Sequence, residues 1–421
     1  MDGLGPRVSG FDPPSGSSRS SRRRSSRRAF LAAAGAALTS AVAGCNDLDA
    51  GADAPAFHDG DWRSYGNGPG NANRVAGGAP EADTHDRLVP LGWPHVPPVV
   101  LDGTVYFATG RNVVALSPDG ERRWERDLRI EASGALAADA TRGRLYVPSE
   151  AVRADDGSVA EPASVAVLSL GDGEAIDRFA VGGRRAYGAT VVEGDVYVRS
   201  ATGCVRLGPD GTARWRRSLD PLVYEEYNVF DDFATQVAPA VAAGGVYVTD
   251  RNALVGLDPE TGAERWRVPV DTPYAAPVVT DNVVVQTGRL ETVAVEHSGD
   301  VRWRRDLHSD AAAAVAADGD VYVAAGDLHE VDPETGETNW HVHLSDEYTA
   351  APVVTDEAVI VADGDVYAFR RDAEGLLAPD RERWRNASVT ARADTSPVVA
   401  AGRVFAAGFD FLLALEPGGD G

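Results

Sequence analysis

The fold can be derived from one stretch, Pro98 to Trp124, which reads PVVLDGTVYFATGRNVVALSPDGERRW. Short apolar runs are separated by a D-G turn, a glycine loop and a second turn, and the stretch ends on a tryptophan. Val105 and Phe107 alternate with Tyr106 and Ala108, which is the period of two expected for a strand. No segment after residue 60 keeps a helical period over more than two turns. The stretch therefore predicts four strands of an antiparallel sheet.

The same unit recurs along the chain. Its copies begin at a proline or alanine and most end at a tryptophan: Pro98–Trp124, Ala135–Phe179, Ala189–Trp215, Pro239–Trp266, Pro277–Trp303, Ala314–Trp340, Pro352–Trp384 and a shortened Pro397–Pro417. The last copy lacks its fourth strand. The segment Arg87 to Trp93, RLVPLGW, lies before the first copy, where a fourth strand and its tryptophan precede every other copy. The repeats therefore predict a chain whose two ends complete one unit.

A four-stranded sheet with exposed edges and apolar faces is buried by radial stacking, and the ring must close to bury its first and last blades. We predict an all-β, eight-bladed β-propeller, closed by pairing of the N-terminal strand with the C-terminal blade. One large ring per blade is expected at the stacking surface: Trp93, Trp124, Phe179, Trp215, Trp266, Trp303, Trp340 and Trp384. A seven-bladed ring is the alternative, and it requires that Ala135–Phe179 is not a blade.

The N-terminal region has the pattern of an export signal. A polar, arginine-rich segment precedes a short apolar run, Ala29 to Ala43, which is too brief for a stable membrane anchor. The twin-arginine export motif is matched by Arg27, Arg28, Phe30 and Leu31. Val42 to Cys45 is similar to a lipobox, in which a lipid is attached to the cysteine.

These features predict three regions: a twin-arginine signal peptide with lipobox at 1–45, a flexible tether at 46–60 and a propeller at 61–421. The tether is rich in Asp, Ala, Gly and Pro. We expect a lipid on Cys45 to hold the protein on the outer face of the cell membrane.

The charged residues exclude several functions. The 421-residue chain has no lysine, so its 40 basic residues are all arginine, against 64 acidic residues. Phosphate-loop nucleotide sites, Schiff-base enzymes and protein-kinase ATP sites each need a lysine. The formal net charge of −24 repels phosphate backbones, so no nucleic-acid partner is expected. Such acidity predicts adaptation to concentrated salt, in which self-repulsion is screened; codon bias in a GC-rich genome is the alternative for the missing lysine.

The repeat resembles the pyrroloquinoline-quinone (PQQ) type propeller repeat, and the resemblance covers about residues 86–417. That repeat is shared by quinoprotein alcohol dehydrogenases and the bacterial outer-membrane assembly propeller lipoprotein. The segment Asp61 to Arg74, DWRSYGNGPGNANR, is similar to a lead-in with tryptophan, a second aromatic residue, glycine and asparagine that precedes many such propellers in prokaryotes. The charge balance and lipobox together predict a haloarchaeal lipoprotein member.

The resemblance leaves two functions open. A PQQ-dependent alcohol or sugar dehydrogenase would, by resemblance, carry adjacent cysteines over the quinone, a tryptophan floor, a calcium ion held by Glu, Asn and Asp, and an aspartate base. This chain has two cysteines, Cys45 and Cys204, which are not adjacent. We therefore predict no catalytic residue, no cofactor and no metal ligand, with PQQ and calcium belonging only to the alternative.

Three histidines of one repeat are candidates for a metal site. His341 and His343 are two apart and share a strand face, and His329 lies on the preceding strand. No carboxylate or cysteine has ligand spacing beside them, so we interpret them as outer-strand histidines without a metal. Acidic turns such as DPETGE need their aspartate and glycine for turn geometry, so they do not predict calcium. Asn386 to Ser388 is a glycosylation sequon, a triplet that is common by chance.

Two insertions favour a binding function. Arg216 to Ala238, between repeats, and Ser149 to Pro162, within a repeat, are both expected on the face that carries the longer loops. The predicted partner surface consists of the aromatic residues of the first insertion, Tyr224, Tyr227, Phe230 and Phe233. Asp372 to Asp380 lies in a turn of the opposite face and is interpreted as length variation. The expected function is a monomeric, non-catalytic scaffold that binds a protein; a loop that only covers the channel is the alternative.

Overall fold

The computed structural model describes residues 60–82, 84–90, 96–156, 158–222, 237–273, 275–309, 311–344, 350–372, 381–391, 395–407 and 411–416. Within these ranges the chain is all-β, apart from one turn of 3-10 helix at Tyr65–Asn67. None of the described helical structure is long and apolar enough to cross a membrane.

The strands form eight blades. In chain order they are β1 (Thr84–Pro90); for blade 1, β2 (Val99–Leu101), β3 (Thr104–Thr109), β4 (Asn112–Leu116) and β5 (Arg122–Asp127); for blade 2, β6 (Ala137–Asp139), β7 (Arg144–Ser149), an inserted hairpin of β8 (Val152–Arg153) and β9 (Val159–Glu161), β10 (Ser164–Ser169) and β11 (Ala175–Ala180); for blade 3, β12 (Ala186–Val192), β13 (Asp195–Ser200), β14 (Gly203–Leu207) and β15 (Ala213–Ser218); and for blade 4, β16 (Ala240–Ala242), β17 (Gly245–Asp250), β18 (Ala253–Leu257) and β19 (Glu264–Pro269).

The second half of the ring repeats this order. Its strands are, for blade 5, β20 (Val278–Val279), β21 (Val283–Thr287), β22 (Thr292–Glu296) and β23 (Val301–Arg305); for blade 6, β24 (Ala314–Val315), β25 (Val321–Ala325), β26 (Asp327–Val331) and β27 (Thr338–His343); for blade 7, β28 (Val353–Val354), β29 (Ala358–Arg370) and β30 (Glu382–Ala391); and for blade 8, β31 (Val398–Ala400), β32 (Arg403–Ala407) and β33 (Phe411–Glu416).

The ring closes as the sequence predicts. β1 pairs antiparallel with β33, from Thr84 opposite Glu416 to Pro90 opposite Phe411, and so supplies the fourth strand of blade 8. Ala135–Phe179 contains a complete blade, which excludes the seven-bladed alternative. In blade 7 the two middle strands form one element, Ala358–Arg370, which pairs with β28 by its first part and with β30 by its second.

Burial follows the order of strands within a blade. The first three strands are almost wholly buried, as in β3, whereas the fourth strands alternate, as in β5. We call the side that carries the turns between strands 1 and 2 and between strands 3 and 4 the turn face. The loop face is the opposite side, with the loops between strands 2 and 3 and the crossings between blades.

On the turn face one contact joins successive blades. The indole nitrogen of Trp215 donates a hydrogen bond to the carbonyl of Pro259 in blade 4, at 2.8 Å, and Trp303 bonds Pro333 in blade 6 in the same way. The ring of Trp215 also lies under Gly262, where an added Cβ would come within 2.6 Å of it. The glycine of this DPETG turn is therefore required by the tryptophan of the preceding blade.

Most of the predicted stacking residues make this contact. Trp124, Phe179, Trp215, Trp266 and Trp303 each pack under a turn glycine of the next blade, namely Gly173, Gly211, Gly262, Gly299 and Gly336. Trp340 differs, because the guanidinium of Arg381 covers its ring at 4.5 Å from the centroid. Trp384 donates to the carbonyl of Pro80, at 3.0 Å, before β1. Trp93 lies outside the described residues, and the side chain next to the turn glycine Gly120 is Leu88.

Candidate functional site

The segment from Gly60 to Gly77, here called the channel segment, runs around the inside of the ring. Its carbonyls accept hydrogen bonds from the edge N–H groups at the first strands of seven blades. The pairs are Gly60 with Ala401, Trp62 with Val100, Arg63 with Ala138, Pro69 with Val241, Gly70 with Val279, Ala72 with Val315 and Asn73 with Val354. In blade 3, Ala189 donates to Ala135 instead, at 3.2 Å. Inner strand edges that would otherwise lack partners are thereby paired with protein.

Tyr65 fills part of the channel interior. It is 3% exposed and belongs to a buried cluster with small residues that precede the first strands of several blades, Ala135, Ala238, Ala276, Ala313 and Ala351 among them. Burial raises the pKa of the Tyr65 hydroxyl well above its usual range, although a hydrogen bond with Ser396 of blade 8 acts in the opposite direction. The phenol therefore stays protonated, and the channel at this level is occupied by the protein's own side chain.

Two asparagines fix the channel segment to the wall. The side-chain amide nitrogen of Asn71 donates to the carbonyls of Ala238 and Pro277, both at 3.1 Å, and that of Asn73 donates to the carbonyl of Ala313 at 2.8 Å. Both asparagines have positive φ, 57° and 49°, a conformation that asparagine tolerates better than most residues. The hydrogen bonds to the wall and the positive φ thus explain why asparagine occupies these two positions of the lead-in.

The insertion in blade 2 is a hairpin on the loop face. β8 pairs with β9, from Val152 opposite Glu161, where the sequence indicated only a loop. The base of this hairpin is tied to the crossing into blade 3, because the Arg185 guanidinium binds the carboxylate of Glu150 and Ala151 donates to the carbonyl of Arg184. The hairpin tip is solvent-exposed, with Val159 47% exposed.

A buried arginine holds one end of the second insertion. Arg199 is fully buried, and its guanidinium donates to the carbonyls of Asp220, at 2.5 Å, and Thr249, at 2.9 Å. Its nearest carboxylate is Asp250, 3.7 Å away, which accepts a hydrogen bond from the N–H of Asp220 at 2.8 Å. Asp220 is therefore held from both sides, directly before the insertion continues.

The predicted partner residues Tyr224, Tyr227, Phe230 and Phe233 lie outside the described residues. The flanks of their insertion are described: Leu222 and Val237 pack together against Tyr187 of blade 3. The tyrosine ring lies under the guanidinium of Arg199, 5.7 Å from the ring centroid. Arg199 was not among the predicted site residues, although it stands out in VYVRS, where other repeats have VYVTD or VYVAA. Both ends of the insertion are thus fixed against blade 3.

Cys204 lies in β14 and is buried. Burial raises the pKa of its thiol to about 12, so the thiolate is scarce at neutral pH. A thiol of this kind is a packing residue of the blade rather than a nucleophile.

The three histidines come together on the outer strands of blade 6. His329 pairs with His341 across β26 and β27, and their rings stack at 5.6 Å. His343 lies 2.7 Å from the carboxylate of Asp327 through Nδ1. The expectation that no carboxylate lies beside these histidines is therefore wrong, because strand pairing places Asp327 opposite His343. Across the residues that the structure describes, no group of three or more histidine, cysteine, aspartate or glutamate side chains is arranged to hold a metal ion.

The sequon asparagine has a structural role. Asn386 is 3% exposed, and its amide nitrogen donates to the carbonyl of Ala82 at 2.7 Å. That bond joins blade 7 to the segment that leads into β1. A glycan on this nitrogen would have to break the bond and expose the site.

Comparison with known proteins gives a family match. The profile of the family described as "Outer membrane protein assembly factor BamB" matches residues 193–294 and 288–407, which together make up just over half of the 421-residue chain. The matched region begins at the end of the first strand of blade 3 and ends in blade 8. It therefore includes most of the ring.

Solved structures share the fold. The crystal structure of BamB from Moraxella catarrhalis is 16% identical, with a TM-score of 0.58, and the match covers 80% of this chain and 99% of that one. Quinohemoprotein alcohol dehydrogenase from Comamonas testosteroni is 13% identical, with a TM-score of 0.65, over 86% of this chain and 81% of that one. Since non-enzymatic and enzymatic propellers both match, the likeness establishes the fold and leaves the chemistry to the site.

One curated sequence relative also matches part of the chain. Over 162 residues, 34% of this chain, the identity to "Serine/threonine-protein kinase AfsK" of Streptomyces griseus is 28%. The chain spans only 20% of the length of that kinase. A kinase ATP site needs a lysine, which this chain lacks, so the likeness does not extend to the phosphoryl-transfer chemistry.

Proposed function

Because the chain belongs to the outer membrane protein assembly factor BamB family, we propose that it is a non-catalytic scaffold that binds a protein partner on its loop face. The observation that carries the proposal is the pair of insertions in blade 2 and after blade 3. Their bases are fixed by Arg185 and Arg199. Regular blades need no such insertion to stack, so rigid attachment of extra chain at one part of one face favours recognition.

The alternative, a PQQ-dependent dehydrogenase, fits the residues less well. The adjacent cysteines that the resemblance implies are absent from the sequence, and Cys204 is buried within a blade. The indoles of Trp124, Trp215, Trp266 and Trp303 are engaged between blades rather than free to form a floor. The channel segment lines the inside of the ring, and Tyr65 fills the channel interior at the loop-face ends of the first strands. We therefore derive no reaction step through the quinone.

We further propose export by the twin-arginine route and attachment to the outer side of the membrane through a lipid on Cys45. Gly60 bonds Ala401, beside the first turn of blade 8, so the chain enters the ring from the turn face. The 14 residues between Cys45 and Gly60 would span about 20 Å as a flexible tether. A short tether of this kind would keep the turn face near the membrane and leave the loop face available to a partner.

The acidic, lysine-free composition supports a salt-adapted, haloarchaeal source. Added salt screens like charges on the surface, so the unfolding temperature should rise by several degrees between dilute buffer and roughly 1 M sodium chloride, where the Debye length is about 3 Å. An unfolding temperature that stays unchanged would contradict this part of the proposal.

Site-specific photo-cross-linking in membranes of the source organism tests the partner surface. A photoreactive residue at Val159, on the loop-face hairpin, should give one discrete cross-linked protein. The matched control is Val301, which lies at the turn-face end of β23 and is similarly exposed, 43% against 47%. Equal cross-linking from both positions, or none from Val159, would contradict loop-face binding.

Calorimetric titration of residues 46–421 with PQQ and calcium in molar salt, followed by dye reduction on alcohols and sugars, tests the alternative. We expect no saturable heat and no turnover. Saturable binding together with dye reduction would replace the scaffold with an oxidoreductase.

A further inference from the structure

A cavity of about 270 Å³ lies on the turn face between blades 1 and 2. Its volume is just below the range usual for ligand sites, about 300–1,000 Å³, so it suits a small molecule. Blade 2 contributes Leu170 to the lining, and blade 1 contributes Asp102, Thr104, Tyr106, Arg123 and Trp124.

The corresponding place in blade 3 is filled by paired charges. Arg206 lies opposite Tyr197 in the strand register, and its guanidinium covers the tyrosine ring at 5.5 Å from the centroid. The carboxylate of Asp195 pairs with Arg206 at 2.7 Å and with Arg214 at 2.8 Å. The arginine that precedes the tryptophan of this blade therefore has a carboxylate partner within the protein.

Blade 1 lacks two of these side chains. Thr104 takes the place of Asp195, at the first position of the second strand. Ala115 takes the place of Arg206, opposite the tyrosine of that strand. Arg123 remains, and its guanidinium donates to the hydroxyl of Thr104. In the part of the chain that the structure describes, Arg123 has no carboxylate partner.

Three further blades carry an arginine directly before the tryptophan, and each of these arginines is paired. The ion pairs are Arg265 with Asp258 at 2.7 Å, Arg302 with Glu334 at 2.9 Å and Arg383 with Glu357 at 2.6 Å. Arg123 is thus an exception to a repeated arrangement, and it is the one that lines the cavity.

The walls of the cavity are largely apolar. The indole nitrogen of Trp124 and the hydroxyl of Tyr106 both donate to the carbonyl of Leu170, at 3.0 and 3.1 Å. The rings lie 5.8 Å apart between centroids. Because their polar atoms are already bonded, the two rings offer apolar surface to a ligand.

A carboxylate lines the cavity together with the arginine. Among the described residues, Asp102 makes no ion pair. Burial is the main cause that raises the pKa of Tyr106, and smaller influences on it include Arg123, which lowers it, and Asp102, which raises it. Both charges therefore lie near the same hydroxyl. The cavity combines one cation, one anion and an apolar wall.

We propose that this cavity binds a small amino acid as its zwitterion, with the ligand carboxylate on Arg123, the ammonium group on Asp102 and a short apolar side chain against the aromatic wall. Arginine binds a carboxylate through two parallel hydrogen bonds. A ligand with both charges complements both side chains, whereas a simple anion would be repelled by Asp102. The site lies on the turn face and is independent of the loop-face partner.

Calorimetric titration of the purified protein with leucine, N-acetylleucine and leucinamide tests the site. The three ligands share one side chain, but the second lacks the ammonium charge and the third lacks the carboxylate. We expect saturable binding of leucine and at least about tenfold weaker binding of the other two, because each loses a charge-assisted hydrogen bond. No saturable heat with millimolar leucine, or N-acetylleucine or leucinamide binding as tightly as leucine, overturns the proposal.

Two substitutions locate the binding. Thr104→Asp supplies the carboxylate that blade 3 has in Asp195, so it should pair with Arg123 and abolish leucine binding. Arg123→Gln should weaken leucine binding by about tenfold or more. The matched control is Arg214→Gln in blade 3, which should leave the affinity for leucine unchanged. Leucine binding that persists in Thr104→Asp and Arg123→Gln overturns the site. Arg123 is exposed, so its variant decides the question if Thr104→Asp fails to fold.

Discussion

The turn face and the loop face of this propeller differ in whether their contacts repeat from blade to blade. On the turn face the first five blades make the same contact, a large ring under the turn glycine of the next blade. On the loop face, blades 2 and 3 depart from the repeat, and single arginines hold the added chain: Arg185 on Glu150, and Arg199 on Asp220. The repeated contact stabilises the ring, and the unrepeated ones position a surface.

Trp303→Ala removes one of the repeated turn-face contacts and has the largest expected effect. The indole is 5% exposed and lies under Gly336, so its removal leaves a cavity between blades 5 and 6. We expect a loss of about 3–5 kcal/mol in the free energy of unfolding, measured by chemical denaturation. Val301→Ala, on the same strand and 43% exposed, is the control and should change stability by less than about 0.5 kcal/mol. Equal effects would show that the stacking contact is unimportant.

Arg199→Met tests the contacts of the loop face. The substitution removes the buried guanidinium that donates to the carbonyls of Asp220 and Thr249. The carboxylate of Asp250 keeps its hydrogen bond from the N–H of Asp220 and its ion pair with Arg267, at 2.6 Å. We expect a loss of about 3 kcal/mol. Proteolysis of the insertion 223–236 should also accelerate, whereas Trp303→Ala at matched stability should not expose it selectively. Identical digestion patterns would contradict a positioning role for Arg199.

Alanine substitutions at two glycines of blade 4 separate the effect of backbone conformation from that of packing at the turn face. Gly262 and Gly244 have nearly equal φ, 68° and 70°, but an added Cβ meets the Trp215 ring at Gly262 and nothing within 4 Å at Gly244. Alanine at either position should cost about 1 kcal/mol from backbone strain. Gly262→Ala should cost roughly 1–3 kcal/mol more because of overpacking. Equal losses would show that conformation alone requires the glycine.

The smallest expected effect is the pH dependence of the blade 4 turn. Hydrogen bonds from Arg265 and Thr261 lower the pKa of Asp258 to about 2, from 3.8. A carboxyl with a lowered folded-state pKa stabilises the protein above its unfolded pKa, and this contribution is lost as the pH falls from about 4 towards 2. The difference in unfolding temperature between the unaltered protein and Asp258→Asn should shrink over that range. A difference that is constant with pH would contradict the assignment.

Much of this architecture was predictable because its causes are local and repeated. The eight units, the DPETG turns and the closing strand are each visible in short windows of sequence. The alternation of Val105 and Phe107 with Tyr106 is sufficient to predict a strand, and β1 was predictable from the shortened last copy. The exact partner of Gly120 was not, since Leu88 rather than a tryptophan lies beside it.

The candidate site was predicted only in part. The positions of the two insertions follow from repeat length, and the structure places the described parts of both on the loop face. The hairpin of β8 and β9 was missed, since two- and three-residue strands leave little pattern. Arg199 was missed because its partners, Thr249 and Asp220, become neighbours only when blades 3 and 4 stack.

By itself, the sequence determined the repeat, the number of blades, the closure of the ring and the acidic, lysine-free surface, because each depends on neighbours along the chain or on composition. Only the tertiary structure decided the path of the channel segment. Asn71 bonds Pro277, 206 positions away, and Asn73 bonds Ala313, 240 positions away. Such partners exist only once the ring is formed, because the edges of separate blades meet the segment at the axis and nowhere in the linear sequence.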